Sequence, residues 1–402
     1  MRSSVVGPFG PVGLGGLSPA TFLRRHWRKR PLLIRQALPG FAGILDRDAL
    51  FQLALRADAT SRLVIDHAGG RVARDGGGRG GRRRPGRWER HDGPFGGLDA
   101  SMLPASHWTL LVHGIESLIP GGWELLRAFS FIPAARIDDL MVSYAADGGS
   151  VGPHDDRYDV FLLQGPGRRR WQVSTRGDHQ VDPRAAIKVL RSFVAEEEWL
   201  LEPGDMLYLP PGVAHWGIAE GPSFTYSVGF LAPSHEELIQ SFLGYLGHAL
   251  APAIDADALV QDADLRLQDE PLALDDAMVK KVASILGAVR WDPATVEDFL
   301  GSFLTRPKPR ISFAPPPRPL SAPAFARRLR RRGRLSLALP SRGLVRRRRL
   351  YFNGEAHVVR PTTLRLFQQL VGERALDLPL PTSAEARALL YAWYLAGYLT
   401  VV

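Results

Sequence analysis

The sequence predicts an α+β protein, with an antiparallel barrel or sandwich followed by helices. Two observations support this fold class. Short apolar runs at residues 199–201, 206–209 and 224–230 are separated by turn residues, a spacing typical of antiparallel strands. At Ser234 the pattern changes, because Ser234-His235-Glu236-Glu237 is a capping box and the apolar residues that follow it recur at helical spacing.

Length and composition narrow the class of protein further. The 402 residues are enough for two or three domains with apolar cores. No apolar run reaches the roughly eighteen residues that a membrane span needs, and the Gly- and Pro-rich start does not resemble a signal peptide. The absence of cysteine excludes disulfides, thiolate metal sites and cysteine nucleophiles. It is compatible with a cytoplasmic protein, which we expect this one to be.

The N-terminal elements can be predicted one by one. Ser18-Pro19 is typical of a helix start, with serine as N-cap and proline in the first turn, and Asp46 is a candidate N-cap for a second helix. Strands are expected at residues 62–65, 108–112 and 140–144. Between the first two strands, about residues 69–93, the chain is rich in Gly and Arg and predicts a flexible loop.

Three side chains are candidate ligands of one metal ion. His154 and Asp156 are two residues apart, so in an extended strand they point to the same face while Asp155 points away. His215 ends a segment, residues 203–215, that reads as turn, short strand and turn. Two imidazoles and one carboxylate form the facial triad of non-haem Fe(II) oxygenases, which leaves other coordination positions open. A His-x-Asp pair alone also occurs by chance, so the hypothesis depends on two further residues, His215 and Arg169.

Arg169 is a candidate anion-binding residue. Residues 158–173 predict a hairpin with a Gly-Pro-Gly tip. In its second strand Arg169 shares parity with Trp171 and Val173, the apolar and therefore inward set. Burying an unpaired charge is costly, so an inward arginine needs an anionic partner, and a bound dicarboxylate would supply one.

These residues resemble the motifs of the JmjC/cupin-type 2-oxoglutarate oxygenases and, in more detail, those of the bacterial ribosomal oxygenases. The resemblance covers most of residues 18–235. It is carried by Gly152-Pro153-His154-x-Asp156-x-Tyr158-Asp159-Val160-Phe161, Gln164-Gly165-x-Gly167-Arg168-Arg169-Arg170-Trp171, Pro210-Pro211-Gly212-x-x-His215, Trp27-x-Lys29-Arg30-Pro31-Leu32, Trp108-Thr109-Leu110-Leu111-Val112 and Tyr226-Ser227-Val228-Gly229-Phe230.

The resemblance implies a double-stranded β-helix with the metal at its open end. It implies Arg169 as the ligand of the distal carboxylate of 2-oxoglutarate, assisted by Ser227 or Ser143, although either serine could be an ordinary strand residue. The implied activity is hydroxylation of an arginine side chain in a large-subunit ribosomal protein. The implied cofactors are Fe(II) and 2-oxoglutarate, with the metal held by His154, Asp156 and His215.

Beyond the barrel we expect helices, a linker and a small basic domain. The family that this sequence resembles forms dimers through such a helical segment. The last region combines helices with a hairpin whose Asn353-Gly354 dipeptide predicts a type I′ turn, an arrangement that resembles a winged helix. The predicted domains are residues 1–234 (JmjC/cupin barrel with N-terminal helices), 235–305 (helical dimerisation segment), 306–322 (proline-rich linker) and 323–402 (winged-helix-like basic domain).

Charge is distributed unevenly along the C-terminal half. Residues 306–402 carry nineteen Lys and Arg against four Asp and Glu, whereas residues 235–305 carry four against thirteen. The basic region predicts either contact with nucleic acid, through the arginines of 327–334 and 346–349, or pairing with the acidic segment. The sequence leaves both interpretations open.

We therefore expect a cytoplasmic, homodimeric Fe(II)- and 2-oxoglutarate-dependent protein arginine 3-hydroxylase that acts on a ribosomal protein. Three alternatives remain. The same chemistry could act on a histidine or a methyl-lysine, and the triad does not discriminate between these substrates. A cupin isomerase or dioxygenase could use the metal without 2-oxoglutarate, although Arg169 argues against it. A cupin-type metal-binding regulator could bind nucleic acid through the basic tail.

Overall fold

A computed structural model of the chain describes residues 9–67, 87–98, 100–176, 179–250, 257–267, 270 and 272–402. The chain divides into two compact units. The first comprises Met1–Ala232, Pro307–Ser341 and Arg365–Val402, and the second comprises Pro233–Arg306 and Arg342–Leu364. In the part of the chain that is described, no helix is long and apolar enough to cross a membrane.

Two antiparallel sheets dominate the first 232 residues. Their strands are β1 (Leu32–Ile34), β2 (Thr60–Asp66), β3 (Trp88–Asp92), β4 (Trp108–His113), β5 (Ile137–Ala145), β6 (Val160–Gln164), β7 (Arg168–Ser174), β8 (Glu197–Leu201), β9 (Met206–Leu209), β10 (Ala214–Glu220) and β11 (Ser223–Phe230). The larger sheet has the order β1-β9-β6-β11-β5-β4-β2-β3, and the smaller has the order β10-β7-β8.

The two sheets pack face to face, as strand β6 shows. Val160 and Leu162 contribute to a core that also contains Trp171 of the smaller sheet. The intervening Phe161 and Leu163 belong to the core on the opposite face of the larger sheet. Because both faces of β6 are buried, the strand is a continuous apolar run rather than an alternating one. The arrangement confirms the predicted double-stranded β-helix.

Helices cover the outer face of the larger sheet. The Ser18 hydroxyl accepts a hydrogen bond from the Thr21 amide at 3.2 Å, and the Asp46 carboxylate accepts one from the Ala49 amide at 2.8 Å, so both predicted N-caps are confirmed. Phe22 of the first helix is fully buried in the outer core. The helices of this layer are α1 (Pro19–Arg25), α2 (Arg47–Ala54) and α3 (Pro120–Arg127).

The structure differs from the sequence prediction over part of the expected Gly/Arg loop. Residues 88–92 form strand β3, which pairs with β2 and places Glu89 opposite Ile65. The strand forms because Trp88 is buried against Val64 and its neighbours on the inner face of the sheet. Residues 69–86 of the predicted loop lie outside the described residues.

The C-terminal half contains six helices and six strands in its described part. They are α4 (His235–Leu250), α5 (Asp276–Gly287), α6 (Pro293–Thr305), α7 (Ala322–Arg328), β12 (Gly333–Leu337), β13 (Gly343–Arg346), β14 (Arg349–Phe352), β15 (Glu355–Val358), α8 (Pro361–Glu373), β16 (Ala375–Leu378), α9 (Ala384–Leu395) and β17 (Leu399–Val401). Strands β16-β12-β17 form one sheet and β13-β14-β15 another.

The second unit joins the acidic helices to the basic hairpin, which the sequence assigns to separate domains. Arg346 pairs with Glu297 at 2.8 Å, and Arg349 pairs with Asp298 at 2.6 Å. Pairing with the acidic segment is therefore the observed state of these two arginines. At the hairpin tip the φ angles of residues 353–354 are +48° and +92°, as a type I′ turn requires.

Candidate active site

Side chains of His154, Asp156 and His215 converge in the first unit. Each offers one potential ligand atom, and these atoms all lie within 4.8 Å of one another. Nε2 of His215 is 3.8 Å from Oδ2 of Asp156, and the two imidazole centroids are 4.3 Å apart. Within the described ranges this is the only cluster of three or more His, Asp or Glu side chains with metal-ligand spacing. The three predicted ligands are therefore brought together.

The backbone fixes the tautomer of both imidazoles. His154 and His215 form an antiparallel bridge, with amide-to-carbonyl hydrogen bonds of 3.0 and 2.8 Å. Nδ1 of His154 lies 2.9 Å from the Gly152 carbonyl oxygen, and Nδ1 of His215 lies 3.0 Å from the Val213 carbonyl oxygen. Since a carbonyl can only accept, each Nδ1 carries the proton and each Nε2 keeps its lone pair. Burial lowers the pKa of His215, which favours the neutral ring that a metal ligand needs.

The segment that carries the first two ligands is a loop rather than the predicted strand. Residues 151–159 contain only the isolated bridge at His154. Gly152 has a φ of +74°, and a Cβ there would lie 2.5 Å from Cγ1 of Val189, so glycine is required on both counts. The Asp156 carbonyl accepts a hydrogen bond from the Gly212 amide at 2.8 Å. Loop hydrogen bonds, not strand alternation, therefore bring His154 and Asp156 together.

Arg169 lies on the inward face of β7 beside Trp171, as the sequence predicts, and is only 3% exposed. Its Nη1 donates to the Thr225 hydroxyl at 3.4 Å and its Nη2 to the Gly217 carbonyl at 3.3 Å, both long hydrogen bonds. Its Nε has no partner among the described residues. Burial is the dominant influence on Arg169 and lowers its pKa to about 10. A buried cation with unused donors is suited to an anionic ligand.

Four hydroxyl-bearing residues of the larger sheet line the same cavity as Arg169. Ser227 and Ser143 are both buried and line the same cavity as Arg169. The hydroxyl that Arg169 contacts belongs to Thr225, the cross-strand partner of Ser143. Thr109 also lines the cavity, and its buried Oγ1 has no partner in the described part of the chain. Sequence reasoning missed both threonines, although Thr225 shares strand parity with Ser227, and this signal could have identified it.

The triad and Arg169 open into one cavity of about 260 Å³ between the two sheets. Its apolar wall includes Val160, Leu162 and Ile187. Concave apolar surfaces with a few convergent polar groups are typical of small-molecule sites. The cavity therefore combines a candidate metal centre with a candidate anion site.

The residues present fit Fe(II) and 2-oxoglutarate. Two neutral imidazoles and one carboxylate are the ligand set that non-haem Fe(II) enzymes use. A dicarboxylate needs a cation and hydrogen-bond donors at its far end. Arg169 Nε, Thr109 Oγ1 and Trp171 Nε1 are buried polar atoms to which no described residue is hydrogen-bonded, and all three residues line the cavity.

Two segments of the chain match known protein families. Residues 124–238, which contain the whole triad and Arg169, match the JmjC domain. Residues 288–400 match the ROXA-like winged helix. The second match begins at residue 288, before the predicted proline-rich linker.

Curated relatives include two bacterial proteins. The chain is 34% identical over 309 residues to "Ribosomal protein uL16 3-hydroxylase" of Escherichia coli K12, with 74% of each chain covered. It is 37% identical over 228 residues to "Probable ribosomal oxygenase" of Haemophilus influenzae, covering 56% of this chain and 52% of the relative.

Solved structures show the same likeness over nearly the full length. An X-ray structure of E. coli ycfD superposes with a TM-score of 0.78 at 29% identity, covering 98% of this chain and 100% of the other. The E. coli YcfD structure in complex with cobalt and 2-oxoglutarate has a TM-score of 0.73 at 30% identity, covering 97% and 99%. The chain therefore belongs to the JmjC-domain ribosomal oxygenases, and it is a dioxygenase dependent on Fe(II) and 2-oxoglutarate.

Proposed function

We propose that this enzyme hydroxylates an arginine side chain of a large-subunit ribosomal protein. The observation that carries the proposal is the single cavity shared by the His154, Asp156 and His215 cluster and the incompletely paired Arg169. The E. coli relative is named as a hydroxylase of ribosomal protein uL16, which supports a ribosomal protein as the substrate class. The proposal places the enzyme in the cytoplasm.

Each end of the cavity has its own role in this proposal. His154, Asp156 and His215 hold Fe(II), and Arg169 binds the distal carboxylate of 2-oxoglutarate. Thr225 orients the guanidinium, and the remaining hydroxyls, Ser143, Ser227 and Thr109, surround the carboxylate. Fe(II) and 2-oxoglutarate, when bound, would supply the oxidation: one oxygen atom of dioxygen would enter the substrate C–H bond and the other would enter succinate as 2-oxoglutarate loses carbon dioxide.

The chain supplies position and exclusion of water rather than acid or base groups. The carbonyls of Gly152 and Val213 hold the two imidazoles in the orientation that points Nε2 away from the backbone. Val160 and Leu162 form an apolar wall beside the metal centre. Such a wall keeps bulk water away from the reacting carbon and strengthens the ion pair at Arg169.

Arg62 and Lys188 also line the cavity, but each is paired with a carboxylate, whereas acidic groups beside Tyr158 would favour a cationic substrate side chain. Tyr158 and His113 both line the cavity. Burial, followed by the charges of Asp156 and Asp139, raises the pKa of Tyr158, so these carboxylates lie close to its ring. Oδ2 of Asp139 is 3.2 Å from Nδ1 of His113, and the Asp139 side chain is only 14% exposed. An arginine that enters beside Tyr158 would therefore find a partly buried carboxylate as its counter-ion.

The test is succinate production from 2-oxoglutarate by the Fe(II)-loaded enzyme with peptides from large-subunit ribosomal proteins. We expect peptide-stimulated succinate and an arginine heavier by one oxygen atom, both lost in His154→Ala. Parallel peptides presenting histidine or methyl-lysine test the alternative substrates, and a product from these but not from arginine would contradict the proposal. Metal-dependent turnover that does not require 2-oxoglutarate would establish a cupin dioxygenase or isomerase instead.

We propose a second copy of this chain as a partner of the second unit. Helix α5 begins at its N-cap Asp275 and has no buried residue. Its Val282, Ile285 and Leu286 are exposed, as is Leu243 of α4. An apolar surface formed by neighbouring turns of a helix is typical of an interface. This supports the predicted dimerisation segment.

Nucleic acid is a second proposed partner, favoured by the arginines around α7. None of those at 327–332 forms an ion pair with a carboxylate in the described part of the chain, and the Arg334 guanidinium is 4.0 Å from Asp377. Clustered unpaired arginines attract phosphate groups. The RNA of a ribosomal particle would supply them next to the proposed substrate. The exposed members are Arg327, Arg330, Arg331, Arg332 and Arg334.

A further inference from the structure

The segment between β7 and β8 packs over the inner face of the larger sheet. We call its residues 179–191 the strap. An isolated antiparallel β-bridge between Val181 and Leu190 joins the two ends of the strap. Two strap residues, Ile187 and Val189, are buried against apolar residues of β2, β3 and β4. The strap therefore has a defined structure and an apolar anchor of its own.

The strap contacts the residues that immediately precede the first metal ligand. The Leu190 amide donates to the Pro153 carbonyl at 2.8 Å. Cγ1 of Val189 fills the space beside Gly152, where a Cβ would lie only 2.5 Å away. These contacts fix the path of the chain as it reaches His154.

The strap also binds the residue between the two ligands. Nζ of Lys188 donates to the carbonyl of Asp155 and to its Oδ1, each at 2.5 Å. Nδ1 of His179 lies 2.9 Å from Oδ2 of the same carboxylate. The Asp155 side chain is 18% exposed, whereas those of Lys188 and His179 are 49% and 39% exposed, so solvent screens these interactions in part. The Asp155 carboxylate therefore contacts the strap rather than the three candidate metal ligands, as the sequence predicts.

A loop lacks the ladder of hydrogen bonds that aligns side chains in a strand. For residues 152–155 the strap supplies comparable restraints at three places, namely Gly152, Pro153 and Asp155. We propose that the strap is the positioning element of the metal centre, with Lys188 and Asp155 as positioning residues that orient His154 and Asp156. This inference rests on the proposed metal ligands.

The inference is tested on the full-length protein by titration with Co(II), followed by visible absorption, which reports both affinity and coordination geometry. Lys188→Met should weaken Co(II) binding by about 10- to 100-fold, the usual effect of losing a group that orients metal ligands. It should also change the Co(II) spectrum. Lys188→Arg, which keeps donors for both oxygens, should recover most of the affinity. Lys281→Met is the matched control, because Lys281 pairs with Asp264 in the second unit, and it should bind Co(II) like the wild type.

The outcomes separate this inference from the proposed function. Failure of wild-type protein to bind Co(II), or binding that survives His154→Ala, overturns the metal site and the inference with it. Wild-type affinity and spectrum in Lys188→Met, with only a higher KM for peptide, overturn the inference alone and make the strap a substrate wall. If circular dichroism shows that Lys188→Met is unfolded, Asp155→Asn decides, and a wild-type Co(II) spectrum in that variant overturns the inference.

Discussion

Arg169 and Thr225 lie on opposite sheets, and Nη1 of the guanidinium donates to the threonine hydroxyl across the cavity at 3.4 Å. This contact is long, and no described residue accepts a hydrogen bond from Nε. The protein alone does not compensate the buried charge. The site is therefore organised for an anion and is energetically unfavourable without one.

Replacing Arg169 separates binding from stability. We expect Arg169→Met to raise the KM for 2-oxoglutarate by about 10- to 100-fold, because hydrogen bonds to charged groups contribute about 1.5–3 kcal/mol. The ligand-free variant should melt at a higher temperature than the wild type, since an uncompensated buried charge is removed. Succinate formation and thermal unfolding measure the two effects.

Thr225→Val is the matched control for Arg169→Met. It keeps the cation and removes one long hydrogen bond, so the KM for 2-oxoglutarate should rise by only about 2- to 10-fold. An unchanged KM in Arg169→Met would show that the distal carboxylate binds elsewhere.

Asp139 is expected to determine preference for an arginine substrate. Asp139→Asn keeps the shape of the side chain and removes its charge, so kcat/KM for an arginine peptide should fall about 10- to 100-fold. The KM for 2-oxoglutarate should stay unchanged. Asp58→Asn is the control, because Asp58 is 38% exposed, pairs with Arg56 and does not line the cavity, and its effect should be below about threefold. Equal losses in both variants would assign the effect to general surface charge.

Gly152 is expected to tolerate no side chain. Gly152→Ala introduces both a strained φ and a clash with Val189, so the free energy of unfolding should fall by about 2–4 kcal/mol. Gly40→Ala is a control with a similar φ of +72° and no atom within 4 Å of the new Cβ. It should lose only the backbone component, about 1 kcal/mol. Urea denaturation measures the free energy of unfolding of both variants. An equal decrease in the two would show that the contact with Val189 of the strap does not contribute.

The apolar surface of α5 predicts a dimer that charge can disrupt. In Val282→Asp/Leu286→Glu two exposed apolar residues become acidic, which should convert a dimer into a monomer by like-charge repulsion across the interface. Size-exclusion chromatography with light scattering measures the mass. Ser284→Glu controls for the added charge, because Ser284 is exposed on the same helix, about half a turn away from both positions. A wild-type protein that is monomeric at micromolar concentration would contradict the prediction.

The arginines around α7 predict salt-dependent RNA binding. Replacing Arg330, Arg331 and Arg332 with glutamate should weaken binding of a labelled single-stranded RNA at least about tenfold. It should also reduce the slope of log affinity against log salt by about two, since each phosphate contact on single strands contributes about 0.7. Fluorescence anisotropy provides the measurement. The conservative Arg-to-Lys triple variant should keep the slope. An RNA affinity of the wild-type protein that does not change with salt concentration would contradict an electrostatic contact.

Local features of the chain were predictable because their causes are local. The N-caps Ser18 and Asp46 act on amides three residues away, and the turn at Asn353-Gly354 depends on two φ angles. The inward position of Arg169 follows from the alternation of one strand. The candidate metal ligands could be proposed as a set from residue chemistry and from the resemblance to known motifs.

Only the tertiary structure decided how these parts meet. The loop at residues 151–159, the strap and the contact of Arg169 with Thr225 depend on residues far apart in sequence, which no periodicity records. The contact between helix α6 and the hairpin at residues 343–358, seen in the pairing of Arg349 with Asp298, likewise joins elements that are far apart in sequence. A sequence pattern specifies which face of an element is apolar, whereas packing between distant elements determines which polar groups are left without partners. In this enzyme three such groups, on Arg169, Thr109 and Trp171, line the candidate active site.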